Sequence, residues 1–105
     1  MPDFAWIYLV RPVRPGFPGG PTPAEAAAID RHFEYLKVML ENGSLVLAGP
    51  CLDTAFGIVV FRAADKEAAG RVMRGDPAVQ EGVFTSELHA FRVSLLAPGS
   101  RGLDG

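Results

Sequence analysis

His32 is the residue in this sequence best suited to moving a proton, because an ordinary imidazole titrates near pH 6.5 and serves as acid or base there. It also fits a plainer role, a half-buried residue packing at a helix edge, and the sequence leaves both readings open. Asp76 precedes Pro77, and Asp-Pro after a helix is common turn chemistry. The same carboxylate, set beside an imidazole, would fix its tautomer and raise its basicity. Arg11 and Arg14 flank an irregular loop, and either could hold an anionic substrate through its guanidinium fork. Cys51 follows Gly49-Pro50 with no cationic neighbour in sequence to activate it, so it reads as a small buried hydrophobe rather than a nucleophile. His89 lies mid-strand among apolar neighbours and reads as a core residue.

Other chemistries are not signalled. The sequence has no P-loop, no Gly-x-Gly-x-x-Gly after a strand, no His-Glu-x-x-His and no Cys/His cluster. Two histidines and one cysteine are too few for a metal site, so neither a metal nor a cofactor is expected. A net charge of −2 offers no electrostatic reason for nucleic acid or an anionic membrane as partner. No apolar run approaches the roughly 20 residues that span a bilayer. Met1-Pro2-Asp3-Phe4 lacks the basic start of a signal peptide, and a lone cysteine allows no intrachain disulfide, so a cytoplasmic protein is expected.

The elements that must position these groups follow from periodicity. The 105 residues suit one domain. Phe4 to Val10 is a run of strand formers, apolar at both parities. Residues 11–22 are rich in proline and glycine and form a long loop. Thr22-Pro23-Ala24-Glu25 is a helix start, with Thr22 as cap, Pro23 at the first position and Glu25 completing a capping box. That helix runs to about Asn42, with Ile29, Phe33, Leu36 and Leu40 expected as its buried stripe and His32 along the margin. Strands follow at Ser44–Ala48 and Phe56–Phe61. Asp65 caps a second helix to about Arg74, with Ala68, Ala69, Val72 and Met73 inward. Phe84–Leu95 is the last strand, and the tail after Pro98 is expected to fray.

The order β-α-β-β-α-β is the ferredoxin-like split unit, an α+β fold with both helices on one face and strands one and three central. An antiparallel sheet of this kind normally alternates, with polar residues toward water. Here the central strands are apolar on both faces, so the face without helices would expose several large side chains. A second copy packed sheet to sheet, an isologous homodimer, is the expected solution.

His32-Phe33-x-Tyr35-Leu36-Lys37, then Gly43-Ser44-Leu45-Val46-Leu47-Ala48-Gly49-Pro50, then Asp76-Pro77-Ala78-Val79 with Gly82-Val83-Phe84 resembles the YCII-related family, over about residues 4 to 95. The resemblance implies a dimeric α/β-barrel and an active site on a first-helix histidine and an Asp-Pro aspartate, which are His32 and Asp76 here. Some relatives look like dehydrochlorinases acting on chlorinated muconate-type acids. The long loop at residues 11–22 departs from commoner members and bears on the mouth of the cleft.

Two functions stand beside each other at this level. One is a cofactor-free lyase or isomerase, dehydrochlorinase-like, in which His32 transfers the proton, Asp76 orients it, and Arg11 with Gly49 and Pro50 binds a small carboxylate-bearing substrate. The other is a non-catalytic dimer that binds a small ligand or a partner protein and keeps His32 and Asp76 as a structural pair.

Overall fold

A computed structural model describes residues 4–98. The elements are β1 (Phe4–Pro12), a single 3-10 turn (Phe17–Gly19), α1 (Pro23–Glu41), β2 (Leu45–Pro50), β3 (Gly57–Phe61), α2 (Lys66–Gly75), the one-turn helix α3 (Pro77–Gln80) and β4 (Phe84–Arg92). They form one antiparallel sheet in the order β2-β3-β1-β4, so the two apolar strands are central and the fold is the expected α+β, ferredoxin-like one.

Local chemistry sets the helix ends. Thr22 Oγ1 accepts the Glu25 N–H at 3.1 Å while Glu25 accepts the Thr22 N–H at 2.8 Å, a complete capping box that satisfies two otherwise orphaned donors. Gly43, at φ +85°, supplies the left-handed turn after α1 that a side chain would resist. Asp65 caps α2 by accepting the Ala68 N–H at 2.8 Å. Asp76 is extended, as a residue before proline must be, which ends α2 and starts α3 one residue later.

Register then sorts the side chains onto two faces. Trp6, Tyr8 and Val10 lie opposite Phe61, Val59 and Gly57, and the five side chains among them point toward the helices. They pack with Leu36 and Met39 of α1 and Ala69 of α2. Tyr8 and Phe61 are fully buried and meet edge to face at 5.7 Å, a geometry worth about 0.5–1.5 kcal/mol beyond the area buried. Ile7 and Leu9, paired with Val60 and Ile58, occupy the other face, together with Leu47 and Phe91.

Three expectations change. The buried stripe of α1 is Glu25, Ala28, Leu36 and Met39, whereas Phe33 and Leu40 are each 60 % exposed. Phe33 and Leu40 are turned toward solvent, while Leu36 and Met39 supply the large buried side chains of α1 and small Ala28 is fully buried. The last strand ends at Arg92, which pairs with Phe4, rather than at Leu95. His89 is not a core residue: its parity places it opposite Ile7 on the helix-free face, with its side chain 57 % exposed. The expected fraying after Pro98 concerns residues outside those described.

Candidate functional site

Asp76 is the centre of the site. It is 0 % exposed, and a carboxylate that deep is tolerable only when donors surround it. Three do. The Ala78 N–H donates to Oδ1 at 3.0 Å, which is the cap of α3. The Tyr8 hydroxyl donates to Oδ2 at 2.6 Å, and His32 Nδ1 lies 2.6 Å from the same oxygen. The turn role and the site role of Asp76 are therefore held by its two different oxygens.

Each donor arrives from a different element. Tyr8 stands on central strand β1 and points into the core, opposite Val59. His32 lies on α1, between Ala28 and Leu36 along the sheet-facing side, and its side chain keeps 15 % exposure. Pro77 commits the chain to a new helix start, which aims the Ala78 N–H back at the carboxylate. A carboxylate only accepts, so the Nδ1 bond places the ring proton on that nitrogen and leaves the Nε2 lone pair free.

Neighbouring groups reinforce the arrangement. Burial, helped by the adjacent Asp76, pushes the Tyr8 phenol far above its ordinary range, so Tyr8 holds its proton as a fixed donor. Tyr35 is also raised, chiefly by burial and then by Asp76, and its hydroxyl donates to the Val72 carbonyl at 2.7 Å. That hydroxyl passes over Gly75, where an added Cβ would lie 2.8 Å from it. Phe84 meets the His32 ring edge to face at 5.8 Å.

His32 opens onto a cleft of about 840 Å³ between α1 and the β2–β3 end of the sheet. Its walls are largely apolar, with Ile29, Phe33 and Leu40, the helix residues turned away from the core, forming one side. Gly49, Pro50 and Cys51 line the other side. Cys51 is part-buried rather than buried. Lys37 is a cation on this wall; it sits over the Phe33 ring and reaches Glu34 at 3.2 Å.

The arginines lie elsewhere. Arg11 shares the helix-free face with Leu9 and is paired with Glu87, its guanidinium over the Phe56 ring at 5.6 Å. The structure does not bring it to His32, because strand parity puts it through the sheet from the pair. Arg14 forks onto Glu25 at 2.9–3.1 Å and donates to the Gly20 carbonyl, tying the loop to the start of α1. Tyr8 is the site residue that sequence reading passed over. Its signal is present only in retrospect, as a phenol at the middle of the most apolar strand.

Among the described residues no three His, Cys, Asp or Glu side chains group as a metal site would need, and no helix is long and apolar enough to cross a membrane. No curated protein matches the chain. Among solved structures it is similar to 5-chloro-2-hydroxyhydroquinone dehydrochlorinase (TftG) from Burkholderia phenoliruptrix AC1100, in complex with 2,5-dihydroxybenzoquinone. The two are 16 % identical with a TM-score of 0.63, over 83 % of this chain and 93 % of that one, a likeness of fold. The model of the YCII-related domain matches residues 9–88, which hold Tyr8's neighbour Leu9, His32 and Asp76, and the chain accordingly belongs to the YCII-related family.

Proposed function

We propose that this protein is a cofactor-free acid–base enzyme of the lyase or isomerase type, dehydrochlorinase-like in its chemistry, acting on a small substrate. The observation that carries the reading is the 2.6 Å bond between His32 Nδ1 and the buried Asp76, with the imidazole at the wall of an apolar cleft. His32 Nε2 takes a proton from an acidic C–H or a ring hydroxyl, and the electrons left behind form the new C=C or C=O double bond. In an elimination the bond to the leaving group breaks and its electrons depart with it, as chloride does in a dehydrochlorination. In an isomerisation the imidazolium returns the proton at another carbon. Asp76 stays ionised throughout, orienting the ring and stabilising its charged form. That the structural neighbour is a dehydrochlorinase supports the elimination branch. An anionic substituent on the substrate would meet Lys37, since Arg11 faces the other side of the sheet.

The protein acts as a homodimer in this reading. Ile7, Leu9, Ile58 and Val60 put an apolar centre on the helix-free face, where Leu47 and Phe91 are 45 % and 39 % exposed. A second copy laid on that face by a two-fold axis covers the same patch on both. Sedimentation at micromolar concentration measures it, and a monomer there ends the dimer reading.

The chemical reading is tested with purified wild type, His32→Ala and Asp76→Asn, scoring chloride release from 5-chloro-2-hydroxyhydroquinone and from chlorinated muconate-type acids. Both variants should lose roughly 10²–10⁴-fold in rate while staying folded by circular dichroism. Losses under tenfold in both would leave His32 and Asp76 as a structural pair in a ligand-binding protein.

A further inference from the structure

The loop after β1 carries a feature that the acid–base pair does not use. Phe17, in the 3-10 turn, lines the same cleft as His32 and meets Phe84 edge to face at 6.0 Å. Phe84 in turn meets His32 at 5.8 Å, so the three rings run side by side along one wall. The turn is held from several directions. Val13 N–H donates to the Val83 carbonyl at 3.0 Å, and Phe17 N–H donates to the Arg14 carbonyl at 3.0 Å. Arg14 reaches across the loop to Glu25, whose carboxylate also closes the capping box of α1. The Arg14 side chain keeps 38 % exposure and Glu25 only 11 %, so the contact is partly sheltered from water. A loop with this much proline and glycine would otherwise sample many conformations. Here it presents one aromatic ring at a set place against Phe84, one ring away from the imidazole.

We propose that Phe17, anchored through Arg14 and Glu25, is a specificity-determining residue that selects planar, ring-containing substrates by extending the Phe84–His32 aromatic wall. The physical ground is that aromatic faces and edges gain from offset or edge-to-face contact with another ring, whereas a saturated ring of the same size offers only its area. The apolar walls of the cleft supply the non-selective part of binding. Catalysis by His32 is taken from the function proposed above, but the selection itself concerns binding and stands apart from turnover.

The test compares hydroquinone with trans-1,4-cyclohexanediol, two probes with the same oxygens in the same places but only one flat and aromatic. Calorimetric or ligand-observed NMR titration of the full chain should show at least a threefold preference of wild type for hydroquinone. Phe17→Ala should bring the two affinities to within a factor of two, and Arg14→Gln should move them in the same direction. Phe17→Leu, which keeps apolar volume without a π-face, gives the same loss of preference should the alanine variant fold poorly. Asp76→Asn, which leaves all three rings in place, should keep the ring preference whatever it does to turnover, which separates failure of this proposal from failure of the acid–base reading. No preference in wild type, or a preference undiminished in Phe17→Ala and Phe17→Leu, overturns the assignment.

Discussion

The sheet carries a histidine–carboxylate pair on each face, and the two differ in almost everything except distance. On the helix-covered face His32 and Asp76 lie 2.6 Å apart, with side chains 15 % and 0 % exposed. On the other face His89 and Glu87 lie 2.7 Å apart, with side chains 57 % and 46 % exposed. Asp76 has two further donors, both from rigid backbone or buried core. Glu87 shares its charge with His89 and with Arg11, which together hold its carboxyl below the usual range. Water screens that second pair, and both residues sit on edge strand β4. Proximity alone therefore does not make a site. Burial, donors fixed by the core and the backbone, and a cleft beside the ring are what separate the two.

The sharpest break between the pairs is expected in turnover. His32→Ala should lower the rate by roughly 10²–10⁴-fold, whereas His89→Ala should change it less than twofold, measured on one substrate under one set of conditions. Equal effects would erase the distinction.

Stability should divide the carboxylates next. Asp76→Ala leaves the Tyr8 hydroxyl and the Ala78 N–H buried without an acceptor, and should cost about 3–5 kcal/mol in urea unfolding. Glu87→Ala, at the rim of its face, should leave the unfolding midpoint close to that of wild type.

Tyr8→Phe sharpens the same contrast without removing a charge. It deletes one of three donors to Asp76 and should cost about 1–2 kcal/mol. It should also lower the rate, because Asp76, with one donor fewer, holds the His32 ring less firmly in place. A destabilised variant with an unchanged rate would make Tyr8 purely structural.

The smallest effect concerns the loop. The Arg14 fork, then the Thr22 N–H, holds the Glu25 carboxyl at about 2, below its ordinary 4.5. The folded value is the lower one, so this contribution is complete above about pH 4.5 and fades as the pH falls toward 2. Glu25→Gln should flatten that part of the acid-unfolding curve and leave stability at pH 7 modestly lower. An unchanged curve would show that the tether carries no proton-linked stability.

Much of this was legible before any coordinates. Thr22, Pro23 and Glu25 announced the start of α1, and Asp65 that of α2, because caps are chemistry between residues three apart. Two-sided apolarity identified the central strands. His32 and Asp76 were legible through their residue types and a family resemblance, not through spacing, since 44 residues separate them. The reading went astray where a choice of face was needed. Ile29, Phe33 and Leu40 looked like core because hydrophobicity ranks side chains by what burial would gain, yet they line the cleft while Ala28, Leu36 and Met39 are the buried apolar residues of the helix. His89 and Arg11 were misplaced for a related reason: a strand apolar at both parities does not say which parity the helices cover.

The sequence by itself determined the order of elements, the identity of the central strands and the two groups able to share a proton, because caps, periodicity and residue chemistry are local. Tertiary structure decided that Tyr8 and His32 converge on one oxygen of Asp76, that Arg14 spends its charge on Glu25, and that Arg11 lies through the sheet from the cleft. Those outcomes depend on which face the helices cover and how far α1 is rotated upon it. Both are settled by packing between residues distant in sequence, where no local signal reaches.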